Sequence, residues 1–321
     1  MQTVPLLSLV ITLLNEEDNI QPLLQRVREA MQGLDYELIL VDDGSTDATI
    51  PRIKQYADDR VRLVVLNRNY GQTTAMSAGI AEAKAPYIVT LDGDLQNDPA
   101  DIPIMLEKLQ REGWDVVAGV RAKRQDGMLL RKVPSKIANA MIRKMTGVYL
   151  HDYGCTLKIF RRQIAQHLGL YGELHRFIPV LAAMQGAKMT EMPVRHHARQ
   201  FGKSKYGLGR TFKVMSDLLL MVFFQKYFRR PMHLFGPIGI LTFLFGALIS
   251  LYLLGVKLTG EDIGTRPLLT VAVVTLLAGL QIITFGFMAE IMMRTYYESG
   301  TKSTYLVREL YSASSPVSTL E

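Results

Sequence analysis

Two stretches near the C-terminal end of this 321-residue chain constrain its fold more than any other feature: residues 234–256 carry no charged side chain, and neither do residues 268–289. Each run exceeds the ~20 residues that an α-helix needs to cross ~30 Å of hydrocarbon, and both are too long to read comfortably as buried helices of a soluble core. The segment between them, 257–267, is too short for a domain, so the pair reads as a transmembrane hairpin with both outer ends on one side. Lys226, Arg229 and Arg230 precede the first run and Arg294 and Lys302 follow the second, whereas in the loop Lys257 and Arg266 are offset by Glu261 and Asp262. By the excess of flanking cations the large N-terminal part is expected in the cytoplasm. The apolar start of the chain has no preceding Lys or Arg and no small-residue cleavage pattern, so no secretory signal is expected. The single cysteine, Cys155, excludes an internal disulfide and any multi-cysteine metal site.

Upstream, short apolar runs alternate with helical patterns. Strands are expected at 6–13, 37–41, 61–66, 87–91 and 115–119, and helices at 20–31, capped by Asp18 or Asn19, and at 46–56, 73–83 and 102–111. This alternation predicts an α/β domain with a mainly parallel sheet, whose ligands bind at the carboxyl ends of the strands. The Ser-rich tail after Tyr311 is expected to be disordered.

The net charge of +7 is placed unevenly. Residues 121–144 hold eight basic side chains against Asp126 alone, and residues 195–230 hold nine against Asp217 alone. Such clusters attract nucleic acid, anionic lipid or phosphorylated small molecules. The two apolar runs favour the last two, and no nucleic-acid partner is expected. Residues 208–230 mix Phe212, Met215, Leu219, Val222, Phe223 and Phe228 with five basic residues. That composition suits amphipathic helices lying in the membrane interface or at a contact between copies, and a homo-oligomer is expected.

The strand ends carry acids. The first strand runs into Asn15-Glu16-Glu17, the second into Asp42-Asp43-Gly44-Ser45 and the fourth into Asp92-Gly93-Asp94. Neither a dinucleotide glycine fingerprint nor a Gly-Lys-Ser/Thr phosphate loop is present. Carboxylates facing an anionic diphosphate repel it unless a divalent cation lies between them. Asp92, Asp94 and Gln96 offer the hard oxygen ligands that Mg2+ or Mn2+ prefers.

Several segments together, Asn15-Glu16, residues 41–47 (VDDGSTD), 67–72 (NRNYGQ), 91–96 (LDGDLQ), 152–155 (DYGC) and 201–206 (FGKSKY), make the chain resemble the GT-A glycosyltransferases of family 2. Within that family it is similar to the polyprenyl-phosphate glycosyltransferases of the bactoprenol glucosyltransferase type, related to dolichol-phosphate mannosyltransferase and undecaprenyl-phosphate aminoarabinose transferase. The family often has Pro and Tyr where this chain has Thr12 and Leu14. The resemblance implies a GT-A nucleotide-sugar-binding domain over 1–207, interfacial helices over 208–230, two transmembrane helices within 231–296 and a cytoplasmic tail over 297–321.

It also implies roles for single residues. Asp42 or Asp43 accepts a hydrogen bond from uracil, with Thr12, Leu14 and Glu16 in the same pocket. Asp94 and Gln96 carry the metal, and Asp92 and Gly93 lie at the ribose or the ion. Arg121, Arg199 and Lys205 hold the donor diphosphate, Arg131 and Ser135 hold the acceptor phosphate, and Asp152 orients acceptor or sugar. Arg124 and Lys132 suit lipid headgroups. The reaction so implied is inverting, metal-dependent transfer of a hexose, with glucose as the expected sugar, from a UDP-sugar to undecaprenyl phosphate. Donors such as GDP-mannose or a UDP-aminoarabinose derivative are the alternative, followed by a non-catalytic membrane scaffold. A processive polysaccharide synthase is disfavoured, because its Gln-x-x-Arg-Trp motif is missing: the only tryptophan, Trp114, follows Glu112-Gly113.

Overall fold

A computed structural model describes residues 4–121, 142–144, 146–170, 172–200, 223, 227, 230–298 and 307–312. The chain falls into two compact units, one formed by Met1–Leu218 with Ser303–Glu321 and the other by Leu219–Lys302.

The first unit is built on an eight-stranded sheet of β1 (Leu7–Leu13), β2 (Tyr36–Asp42), β3 (Val61–Leu66), β4 (Tyr87–Asp92), β5 (Val116–Arg121), β6 (Lys158–Arg161), β7 (Met189–Val194) and β8 (Val307–Ser312), in the order β7-β5-β6-β4-β1-β2-β3-β8. Strands β3, β2, β1 and β4 run parallel, while β6 pairs antiparallel with both β4 and β5. Strands β1 and β2 are buried along nearly their whole length and are mostly apolar, five residues of seven in each, as expected where helices cover both faces of a parallel sheet. On one face, Leu7, Leu9, Ile11 and Leu13 pack with α1 (Ile20–Ala30), Ile53 of α2 (Thr49–Tyr56) and α4 (Ile102–Glu112). On the other, Val10, Ile39 and Val41 pack with α3 (Gln72–Glu82) and with Ile178 and Ala182 of α6 (Ile178–Met184); Ala165 of α5 (Arg162–Gln166) joins the same cluster.

The expected parallel strands and their helices are present within a few residues. Asn19 stands at the N-cap of α1, one of the two expected positions, but makes no side-chain cap: the chain enters through a 3-10 turn, Glu17–Asn19, and the Asn19 side chain donates to Glu16 Oε2 at 2.5 Å. Helix α2 starts at Thr49, three residues later than expected, because residues 45–49 are held by the loop after β1. Ser45 Oγ accepts from Asn15 N at 2.8 Å, Asn15 Oδ1 accepts from Thr46 N at 2.8 Å, and Glu17 Oε2 accepts from Ala48 N at 3.0 Å. Strands β6, β7 and β8 were not anticipated. The last of these overlaps the start of the tail expected to be disordered; residues 313–321 lie outside the described residues, as does most of the interfacial segment 208–230.

The second unit contains α7 (Met232–Leu258) and α8 (Pro267–Glu298). Each includes 27 residues apolar enough to cross a membrane, with 17% and 11% of their most apolar windows buried. Glycines let the two backbones touch: a Cβ on Gly279 would lie 2.5 Å from Phe243 N, and one on Gly246 2.7 Å from Leu276 N. Such small-residue contact is what packs helices where lipid removes the hydrophobic drive between them. Because β8 pairs antiparallel with β3, the chain leaves the first unit, forms the helix pair and returns to the first unit.

Candidate active site

The parallel strands β2, β1 and β4 end side by side, with Thr12 in register with Val41 on one flank and Asp92 on the other. Their carboxyl ends therefore gather the loops that carry the acids. Asp42 and Asp43 follow one another, and the structure gives them different partners. Both Asp43 oxygens are taken by the loop after β3, accepting from Tyr70 N at 2.7 Å and Gly71 N at 2.9 Å. Burial pushes the Asp43 carboxyl up, and the two N–H groups oppose that shift. Asp42 is fully buried; its Oδ2 accepts from Ser45 N at 3.0 Å, while Oδ1 has no hydrogen-bond partner. A buried orphan acceptor is costly unless a ligand completes it. Gly44 lies between these loops at φ +78°, and a Cβ there would fall 2.6 Å from Asn69 N, so only glycine lets them close.

At the end of β4, Asp92 is gripped on both oxygens: Gln72 Nε2 donates to Oδ1 at 2.7 Å and Thr156 Oγ1 donates to Oδ2 at 2.8 Å. Thr156 Oγ1 in turn accepts from Asn97 Nδ2 at 3.0 Å. Burial, and next the charge of Asp94, push the Asp92 carboxyl up to about 7. Gly93 follows, and a Cβ on it would fall 2.2 Å from Leu13 Cδ2, so the glycine leaves room for that side chain. Leu95, buried, takes the left-handed backbone at φ 61°. That conformation costs a non-glycine residue about 1 kcal/mol or more and is typical of turns that aim functional groups. Asp94 accepts from Gln96 N at 3.1 Å on Oδ1 and from Arg199 Nη2 at 2.7 Å on Oδ2, and Arg199 Nη1 lies 3.8 Å from Glu16 Oε1. Thr12 and Leu14 are half-buried at the end of β1.

Arg121, at the end of β5, makes a bidentate ion pair with Asp152, Nε to Oδ2 at 2.6 Å and Nη2 to Oδ1 at 2.8 Å. A Cβ on Gly154 would lie 2.9 Å from that Nη2, so the glycine leaves room for the guanidinium. Lys158 is buried beneath the same loop and donates to the Cys155 carbonyl; burial holds its ammonium below the ordinary lysine range. Burial likewise pushes the Cys155 thiol up to about 11, so it is no nucleophile.

The structure thus brings Glu16, Asp92, Asp94 and Arg199 into one cluster, and the Arg121–Asp152 pair into the loop whose Thr156 holds Asp92. Arg131, Ser135 and Lys205, with Arg124 and Lys132, lie outside the described residues. Gln72, Asn97, Thr156 and Lys158 were not anticipated as site residues; Gln72 ends the NRNYGQ segment and Thr156 directly follows DYGC, which is the signal that could have found them. Among the described residues no three Asp, Glu, His or Cys side chains converge as a closed metal cage. The donor set nevertheless fits Mg2+ or Mn2+, because Asp94 already accepts a cationic group on one hard oxygen, and such ions characteristically fill the rest of their shell with water and substrate phosphates.

Comparison with known proteins agrees with this architecture. Residues 8–169 match the profile of Glycosyl transferase family 2. The chain is 49% identical over 313 residues to a dodecaprenyl-phosphate galacturonate synthase of Rhizobium johnstonii, covering 95% of this chain and 93% of the relative. It is 37% identical over 319 residues to an undecaprenyl-phosphate 4-deoxy-4-formamido-L-arabinose transferase of Pectobacterium carotovorum, covering 97% and 95%. Among solved structures, glucosyl-3-phosphoglycerate synthase of Mycobacterium tuberculosis in complex with Mn2+ and UDP-glucose superposes with a TM-score of 0.53 at 18% identity, covering 69% of this chain and 79% of that one, a likeness of fold. With the matched profile spanning half the chain and the relatives nearly all of it, this protein belongs to glycosyl transferase family 2.

Proposed function

We propose that the chain transfers a sugar from a UDP-sugar to a polyprenyl phosphate at the cytoplasmic leaflet of the inner membrane, with inversion at the anomeric carbon. The observation that supports this reading is the Asp92-Asp94 cluster, ringed by Arg199, Arg121 and Lys158, in a chain that continues into two membrane-length helices. Asp42 Oδ1 is the acceptor offered to the uracil N–H. Thr156 and Gln72 hold Asp92, and Arg199 with Arg121 supplies positive charge beside the departing diphosphate. A divalent cation, when bound at Asp94, adds Lewis-acid stabilisation of that leaving group. The lipid phosphate has a second pKa of ~6 and is largely dianionic at neutral pH, so it attacks without a strong general base. What the protein must supply is alignment of two anions, the task assigned to Arg131 and Ser135.

For the sugar, galacturonate replaces glucose as the donor moiety we favour, on the strength of the 49% identical relative. A radiolabelled panel of UDP-galacturonate, UDP-glucose, UDP-4-deoxy-4-formamido-arabinose and GDP-mannose, with undecaprenyl phosphate in detergent, tests this. A lipid-linked product from UDP-galacturonate in preference to the others is expected. Preference for another donor would overturn the sugar assignment, and no lipid product from any donor would overturn the transferase reading in favour of a scaffold.

A further inference from the structure

The segment after β7 runs back along the loop that bears Asp94, and three side chains on alternate residues, Arg195, His197 and Arg199, pair with that loop in turn. Arg195 donates from its backbone N to Asp101 Oδ2 at 2.7 Å and from Nε to Oδ1 at 2.9 Å. His197 Nε2 lies 3.1 Å from Asp98 Oδ2, and Arg199 Nη2 reaches Asp94 Oδ2 at 2.7 Å. The backbones join as well, His197 N donating to Gln96 O at 2.7 Å beside an antiparallel bridge between Asn97 and His196. The strap is therefore fixed, and it delivers a guanidinium to the carboxylate that a divalent cation would use. Side chains of both partners are mostly buried, at 22% and 10% exposure, so water screens the contact poorly.

We infer that Arg199 is the stand-in counter-ion of Asp94, and that Arg199 and a divalent cation alternate on the same carboxylate. Without the cation, Arg199 is occupied by Asp94 and neutralises an acidic cluster that would otherwise hold unpaired buried charge. When a cation binds Asp94, its charge repels the guanidinium held on the same carboxylate, and Arg199 is released to the incoming diphosphate, whose charge it matches bidentately. The ion-binding form is then only a fraction of the free protein, so apparent metal affinity is lowered by that fraction. Metal and nucleotide should each favour the binding of the other, since the diphosphate draws Arg199 away from the ion's ligand.

This inference rests on the donor-site reading above, and the experiment separates the two. Full-length protein in detergent is titrated with Mn2+ alone, free ion being followed by its electron paramagnetic resonance signal, and with UDP by calorimetry in EDTA and in Mn2+. Arg199→Gln should bind Mn2+ alone about fivefold or more tighter than the wild type. Arg199→Lys, which keeps the charge, should stay near the wild type. In EDTA, Arg199→Gln should change UDP affinity little, because Arg199 is held by Asp94; in Mn2+ it should weaken UDP about tenfold or more. Unchanged or weaker Mn2+ binding in a folded Arg199→Gln protein would overturn the inference, and so would equal tightening by Arg199→Lys. If instead Asp94→Asn retains wild-type Mn2+ affinity, or UDP binds in neither condition, the donor-site reading itself fails.

Discussion

Asp43 spends both carboxylate oxygens on backbone N–H groups, whereas Asp42 keeps one buried oxygen without a partner. The two neighbours should therefore respond differently to substitution. Asp43→Ala leaves two N–H groups of the loop after β3 without acceptors and should lower unfolding free energy by about 2 kcal/mol or more, read by denaturant titration. Asp42→Asn keeps the acceptor for Ser45 N; it should leave the unfolding midpoint nearly in place and weaken UDP about tenfold, and the reverse pattern would exchange their roles. Thr156 offers a second test at this scale. Thr156→Val is close in shape but removes the hydroxyl shared by Asp92 and Asn97, so kcat should fall about tenfold while KM for the lipid phosphate stays put. The acidic residues themselves were legible in the sequence because they stand at strand ends. Their partners were not: Thr156 lies 64 residues from Asp92, and Arg199 lies 105 residues from Asp94, and only the folded sheet joins them.

Among elements, β1 to β5 announced themselves as compact apolar runs, since a strand buried on both faces has no room for polar alternation. The unanticipated strands lack that signature. Strand β6 begins with Lys158, whose ammonium is absorbed by the Cys155 carbonyl, and β7 is half-buried and contains Pro193. Strand β8, VRELYS, is neither a continuous apolar run nor a regular alternation, since Arg308 and Glu309 stand together, and it finds its partner β3 only after the two apolar helices. Removing residues 307–312 should lower the melting temperature and promote self-association, because it bares the backbone edge of β3; light scattering of the truncated and full-length proteins checks this. The helix pair carries its own internal control. Gly279→Leu must push Phe243 backbone away and should lower thermal stability in detergent, whereas Gly255→Leu, with nothing within 4 Å of its Cβ, should be tolerated.

For the molecule as a whole, the path of the chain constrains topology: it departs from the sheet unit, makes two long apolar helices and comes back to pair β8 with β3. If the helices span, both outer ends share one side, and the loop around Thr259 lies on the other. The native Cys155 is buried at 1% exposure, so introduced thiols can be read without background. In intact cells Thr259→Cys should react with an impermeant thiol reagent, whereas Ile104→Cys, 54% exposed on α4, should react only after lysis. Labelling of both in intact cells would refute the two-span arrangement. The same path has a consequence in time. Strand β3 ends at Leu66 and β8 begins at Val307, so about 240 residues must be synthesised, roughly 10 to 50 s at ordinary elongation rates, before that edge of the sheet can be closed. During that interval the nascent enzyme carries an open strand edge on the ribosome, and the residues that seal it emerge only after both apolar helices have been made. Completion of the catalytic sheet is thereby scheduled behind synthesis of the two apolar helices, so a chain stalled before that point keeps the β3 edge open.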